Sequence, residues 1–186
     1  MKKTAVLILV LCIAAIIPAA AQTGNNAEKI LVIYFSKTGT TRQVAEHIHS
    51  LAGGDMAEIT AVDTYPGPYN ATLERARQER DKGVRPAIRV SIDNLDSYGT
   101  IFLGYPIWFG NLPMLMVTFL ESYDLSGKTI LPFCTSGSSG ISQSAAEIRR
   151  LAPKARVTEG LQISGSGVGT SRATAAAWLR RLGVIQ

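Results

Sequence analysis

Three short stretches of this sequence hold residue types suited to gripping a ligand. The first, "SKTGTT" (Ser36–Thr41), sets four hydroxyl side chains (Ser36, Thr38, Thr40 and Thr41) beside Lys37 and Gly39 where a helical pattern begins. Backbone N–H groups at a helix N-terminus attract anions, and Ser or Thr hydroxyls add donors around a phosphate. Gly39 permits close backbone approach, and successive amides in such a turn form an anion nest. The stretch is not a Walker loop, because no Gly-Lys-Ser/Thr follows a glycine at the required spacing. A plain helix cap uses the same residue types, so the turn alone leaves both readings open.

The second stretch is "GYPIWFGN" (Gly104–Asn111), an apolar, aromatic loop where chains usually turn polar. Trp108 and Phe109 can pack on a neighbouring helix or stack on a planar ligand, with Gly110 leaving backbone groups accessible. The third is "CTSGSSG" (Cys134–Gly140). Cys134 is no phosphatase nucleophile: a C-x5-R loop needs an arginine at position 140, which is Gly140. A buried strand-end thiol is expected instead, with the loop offering backbone donors. No side chain is singled out as a catalytic acid or base, and no metal-ligating cluster is read.

The elements that must position these stretches are short apolar runs at Ile30–Phe35, Ala57–Val62, Thr100–Gly104, Thr129–Cys134 and Thr158–Ile163. Runs such as "ILVIYF" lack strict alternation, as expected of strands buried on both faces of a parallel sheet. Helical patterns lie between them. Val44, Ile48 and Leu51 share one face of the first, and "YNATLERARQERDKG" reads as a polar surface helix. "LPMLMVTFLESY" starts at Pro113, "SQSAAEIRRLAP" stops at Pro153, and "SRATAAAWLRRLG" runs from a Ser171 cap to Gly183. Five strands alternating with five helices predict an α/β open doubly wound sheet. Ligands of such sheets sit at the carboxyl ends of the strands, which is where all three stretches fall.

The 186-residue chain opens with Lys2 and Lys3, the apolar run Ala5–Ile17 and Pro18–Ala21. That is the pattern of a secretory signal peptide over residues 1–21, and the run is shorter than the ~18–20 residues a bilayer-spanning helix needs. Cleavage after Ala21 is expected, then a flexible segment over 22–28 and one domain over 29–186, placing the protein in the periplasm with no membrane attachment. Losing both lysines lowers the formal charge of +5 by two, an excess too small and scattered for nucleic-acid binding. Only Cys134 remains after cleavage, so no internal disulfide forms and a packed core must supply the stability.

On "GYPIW", "LSGKTILPFCTSG" and "YPGPYNATLERA", the chain resembles the flavodoxins, and more closely a flavodoxin-like bacterial family, over nearly all of Ile30–Val184. The resemblance implies a five-stranded parallel sheet of order 2-1-3-4-5, helices on both faces and bound FMN. It implies that Ser36, Lys37, Thr38, Gly39, Thr40 and Thr41 hold the FMN phosphate. Pro106, Ile107, Trp108, Phe109, Gly110 and Asn111 flank the isoalloxazine. Thr135, Ser136, Gly137, Ser138 and Gly140 meet its other edge, and Tyr69 contacts the ring.

Electron-carrying flavodoxins are typically acidic and cover both flavin faces with aromatic rings. Here the mature chain is slightly basic, and "TSGSSG" offers no aromatic partner to Trp108, so one face stays open unless Tyr65 or Tyr69 folds over. Neither ring-flanking loop has Asp or Glu, which predicts a less negative potential for the last reduction step. The leading expectation is an FMN-dependent reductase of quinones or similar small acceptors. A single-electron carrier for a partner protein comes next, and a non-redox binding module third. Twin lysines are not a twin-arginine signal, so export unfolded and FMN uptake afterwards are expected. His47, His49 and the paired arginines Arg149–Arg150 and Arg180–Arg181 read as structural or surface groups.

Overall fold

The run "KILVIY" carries almost no polar residue because both of its faces are covered. Successive strand side chains point to opposite faces: Leu31, Ile33 and Phe35 enter one core, Val32 and Tyr34 the other. The computed structural model describes residues 29–186; the expected leader, its cleavage point and the segment over 22–28 lie outside the described residues. The elements in chain order are β1 (Lys29–Tyr34), α1 (Thr40–Ala52), β2 (Asp55–Glu58), β3 (Thr60–Ala61), α2 (Tyr69–Asp81), β4 (Ile88–Arg89) and β5 (Tyr98–Pro106). Then follow α3 (Met114–Ser122), β6 (Thr129–Ser136), α4 (Ser142–Leu151), β7 (Arg156–Val157), β8 (Leu161–Ser164) and α5 (Ser171–Arg181).

The main sheet is parallel throughout, in the order β2-β1-β5-β6, with β7 and β8 both pairing the far edge of β6. This is the expected 2-1-3-4-5 order with its fifth strand in two pieces. On one face α1 and α5 bring Val44, Ile48, Trp178 and Leu179 onto Val32, Phe102, Leu131 and Phe133. On the other, α3 and α4 bring Leu115, Phe119 and Ile148 onto Leu31, Ile33, Ile101 and Ile130.

Strand ends shift by one or two residues from expectation, and two of the expected strands are divided, each with a physical cause. The run expected as one strand over Ala57–Val62 leaves the main sheet at Ile59, whose N–H donates to the Tyr34 carbonyl (2.7 Å). Thr60–Ala61 then pairs antiparallel with Ile88–Arg89 in a separate ribbon, whose second strand the sequence did not suggest. The strand expected over Thr158–Ile163 is broken by a bulge. Three residues separate Val157 from Leu161, whereas their partners Ile130 and Phe133 are separated by two. The break faces Pro132. Ile130 accepts from the Thr158 N–H (3.0 Å), so Pro132, two residues on, turns the same way and has no proton to offer.

Ser171 is not the cap of α5 but its first helical residue, after Thr170. Its hydroxyl donates to the Val168 carbonyl (2.7 Å), so the 2.9 Å contact with His47 requires the imidazole Nδ1–H to donate to Ser171. His47 thereby joins α1 to the start of α5, a structural role. Among the described residues, no helix is long and apolar enough to cross a membrane.

Gly104 lies beside Phe133 across the β5–β6 pair, and a Cβ there would sit 2.2 Å from the Phe133 ring. Packed rings in two covered faces have no room to retreat. Gly104→Ala is expected to destabilise the domain by about 1–3 kcal/mol, read in urea as a lower midpoint at unchanged slope.

Candidate functional site

Parallel register brings the carboxyl ends of the central strands to one level: Tyr34 pairs Gly104, Gly104 pairs Phe133, and Phe133 pairs Leu161. The segments leaving those ends meet around a cleft of about 360 Å3.

The first segment turns into α1 through Gly39, whose φ of 87° is the left-handed conformation that glycine adopts without steric cost. The first intrahelical bond of this turn runs from Gln43 N–H to the Gly39 carbonyl, 3.0 Å. No side chain caps the helix, so the hydroxyls do not serve its first amides, which lack intrahelical acceptors. Thr38 and Thr40 hydroxyls contact each other at 3.1 Å on the surface. Thr41 is buried and bonds the Thr135 hydroxyl at 2.8 Å. Ser36 Oγ is enclosed with no hydrogen-bond partner, a state that costs about 1–3 kcal/mol unless something fills it.

The second segment is a tight hairpin. Trp108 and Asn111 exchange both backbone hydrogen bonds at 3.0 Å, and Phe109 and Gly110 both have positive φ (50° and 79°), the signature of a type I′ turn. Left-handed backbone at a bulky residue costs about 1–2 kcal/mol. The Phe109 ring recovers part of that under the Arg80 guanidinium of α2, 4.3 Å from its centroid, a contact worth about 0.5–1 kcal/mol or more. Trp108 is held edge-on by Phe35 (5.5 Å, 89°) and Tyr65 (5.0 Å, 83°).

The third segment closes on itself through Ser136 Oγ–H to the Ser139 carbonyl (2.6 Å), and Thr135 O accepts from the Ile107 N–H (2.9 Å). The segment entering α2 completes the wall. There Thr72 donates to the Pro66 carbonyl (2.6 Å), and Tyr65 donates to buried Glu79 (2.6 Å), which also binds Arg75 (2.8 Å). Burial and then Glu79 push the Tyr65 hydroxyl well above the usual tyrosine range, keeping it a neutral donor.

The flavodoxin family model matches residues 29–182, more than four-fifths of the chain. The chain belongs to the flavodoxin family. A Bacteroides eggerthii protein provisionally described as a flavoprotein is 36% identical, the match covering 83% of this chain and 98% of that one at a TM-score of 0.74. A flavoprotein of Lactobacillus acidophilus, solved in complex with FMN, shares the fold at 22% identity, 77% and 97% coverage and a TM-score of 0.65. A protein of Acidovorax ebreus named NAD(P)H dehydrogenase (quinone) is 30% identical over 93 residues, half of this chain. The matched region spans only 45% of that relative's length.

In this flavodoxin-family cleft, Lys37, Thr38, Thr40, Thr41, Tyr69, Pro106, Ile107, Trp108, Thr135, Ser136 and Gly137 line the wall. Ser36 and Gly39 belong to the first turn without lining the cleft, and Ser138 and Gly140 stand clear of it. Phe109, Gly110 and Asn111 form the hairpin beyond Trp108; the Phe109 ring takes the helix-packing alternative, on α2. Tyr65 is 7% exposed and sits behind Trp108, so it does not fold over the cleft, whereas Tyr69 is 77% exposed at the rim. Gly67, Thr72 and Gly165 also line the cleft and were missed. Thr72 follows Tyr69 by one helical turn, and Gly165 opens a fourth strand-end segment, "GSGVG", that composition alone could have flagged.

Among the described residues, Lys37 is the one charged side chain on the cleft wall, and no Asp or Glu joins it. Cys134 is fully buried, and desolvation pushes its thiol up to about 12, leaving almost no thiolate at neutral pH. On the chain from Gln22, whose one thiol is Cys134, iodoacetamide at pH 8 is therefore expected to leave the native protein unmodified over hours and to label Cys134 stoichiometrically once denaturant is added, as read by intact mass.

Proposed function

We propose that the cleft binds FMN and that the protein is an FMN-dependent reductase of quinones or similar small acceptors. The observation that carries this reading is the pairing, in one cleft, of an uncapped hydroxyl-rich helix start with an aromatic wall. A phosphate suits the first: amides of the α1 turn without intrahelical acceptors, the exposed Thr38 and Thr40 hydroxyls, which bond only each other, and the Lys37 charge, with the partnerless Ser36 Oγ just behind the turn. A flat ring suits the second, formed by Trp108, Ile107 and Pro106 with Tyr69 at the rim. FMN, when bound, supplies the electron-transfer chemistry that no side chain here provides.

The chain's own residues do the rest. The Thr41–Thr135 bond fixes the spacing between the phosphate turn and the far edge. Residues Gly137–Gly140 add no ring opposite Trp108, buried Tyr65 cannot supply one, and Tyr69, 77% exposed, stands at the rim without covering that face, so a small acceptor has access. The absence of carboxylates on the wall favours the accumulation of negative charge in the reduced state. The relative named for quinone reduction supports the same acceptor class over half of this chain. Membership of the flavodoxin family also supports a second reading, a single-electron carrier for a partner protein.

The Lys2–Ala21 pattern supports export of the protein to the periplasm and assembly with FMN afterwards. The deciding experiment is the visible spectrum of the purified chain from Gln22, followed by anaerobic titration with NADH and NADPH. Oxidised-flavin absorbance with direct bleaching by a reduced nicotinamide is expected. Reduction in two well-separated one-electron waves, with no response to nicotinamides, would favour the carrier; a colourless chain that takes up no FMN would refute the cofactor assignment.

Replacing Thr38 and Thr40 together with Glu puts like charge against the phosphate. FMN affinity is expected to fall by at least about tenfold with the thermal midpoint unchanged, by fluorescence titration and circular dichroism. Unchanged affinity would remove the phosphate role from this turn.

A further inference from the structure

Phe109 is, among the described residues, the one residue other than glycine with positive φ (50°). It follows Trp108 directly and takes the first central position of the type I′ turn, where Asn, Asp or Gly is favoured. A bulky residue there disfavours the turn by about fivefold or more. The ring is met from α2: the Arg80 guanidinium lies 4.3 Å from its centroid, and Arg77, at 5.9 Å, stands at the limit of such contacts. We propose that Arg80 is a positioning residue for the cofactor site. Its guanidinium holds the Phe109 ring, the ring holds the left-handed turn, and the turn sets the placement of the Trp108 indole. The proposal rests on the FMN reading and assigns a part in it to a side chain that does not line the cleft.

Three observations carry it. A strained turn persists where its surroundings over-determine it, and the guanidinium contact favours this one by about two- to fivefold, comparable to the strain it opposes. Trp108 belongs to the turn through its backbone, since its N–H and its carbonyl both bond Asn111 at 3.0 Å. A Phe109 backbone that leaves the left-handed region breaks this closure and carries the indole with it. Finally, the guanidinium is aimed: Asp81, beside it on the helix, pairs with Arg80 at 2.7 Å. A chain whose turn is competent only part of the time binds its ligand more weakly by that fraction. Losing the anchor therefore costs no more affinity than the anchor supplies.

The test is a double-variant cycle on the purified chain from Gln22. Arg80→Met keeps the apolar stem and removes the guanidinium at an exposed position. Phe109→Asn removes the ring but supplies a residue that the turn favours, so the turn should hold without an anchor. FMN affinity is read by fluorescence titration and the wall by the chemical shift of the Trp108 indole N–H. Trp178, the other tryptophan, is buried in the opposite core and serves as reference. Arg80→Met alone is expected to weaken FMN binding about threefold and to move the Trp108 indole while Trp178 stays in place. In the Phe109→Asn background the same change is expected to leave affinity within about twofold and the indole unmoved. A loss under about twofold from Arg80→Met alone, or an unmoved Trp108 indole, would overturn the role. So would a loss above about twofold that persists in the Phe109→Asn background, as a bare charge effect would give, or a Phe109→Asn chain that binds no FMN where the unsubstituted chain does. Failure of the FMN reading is seen separately, when the unsubstituted chain takes up no FMN; the indole shifts then still test the anchor.

Discussion

The buried hydrogen bond between the Thr41 and Thr135 hydroxyls is the contact on which the site's geometry depends. It joins the first turn of α1 to the end of β6 across 94 residues of sequence, at 2.8 Å. Both groups are almost wholly removed from water, so each leaves the other unsatisfied if lost, at about 1–3 kcal/mol. The sheet alone would bring the strand ends to one level. The hydroxyl pair adds a fixed separation between the phosphate-type turn and the polar edge opposite, the dimension a rigid ligand must match.

The aromatic wall is held by a second, independent device. Trp108 leans edge-on against Phe35 and Tyr65; Tyr65 is tied to Glu79, and Glu79 to Arg75. Arg75 in turn donates to the carbonyls of Asp63 and Thr64, so the segment before α2 is bound to the helix itself. A buried carboxylate with both a hydroxyl and a guanidinium partner is the arrangement under which burial of charge is tolerated. The wall thus rests on a charged network remote from the ligand, and Tyr65, an aromatic residue within reach of the site, is committed to support rather than contact.

Much of this was legible in the sequence. Unbroken apolar runs such as "ILVIYF" identified strands covered on both faces, and the residues after them identified the cleft, because a parallel sheet brings its strand ends together. What was hidden depends on partners distant in sequence. Pro132 reads as an ordinary residue of an apolar run until the strand beside it is known, and only then does the bulge between Val157 and Leu161 have a cause. Phe109 looks like a ligand-stacking ring until α2 places Arg80 over it. Whether the hydroxyls of "SKTGTT" cap their helix is likewise a question of geometry: the residue types permit a cap, and the structure has none.

The central claim is that this uncapped turn holds the phosphate of FMN while the hairpin meets the ring. Amide chemical shifts of the apo chain, titrated separately with FMN and with riboflavin, test it most directly, since the two ligands differ only in the phosphate. The account predicts that FMN moves the Thr38–Arg42 amides and the Trp108 indole N–H, and that riboflavin moves the indole but leaves those amides in place. Amides of the turn unmoved by FMN, or moved equally by riboflavin, would contradict it.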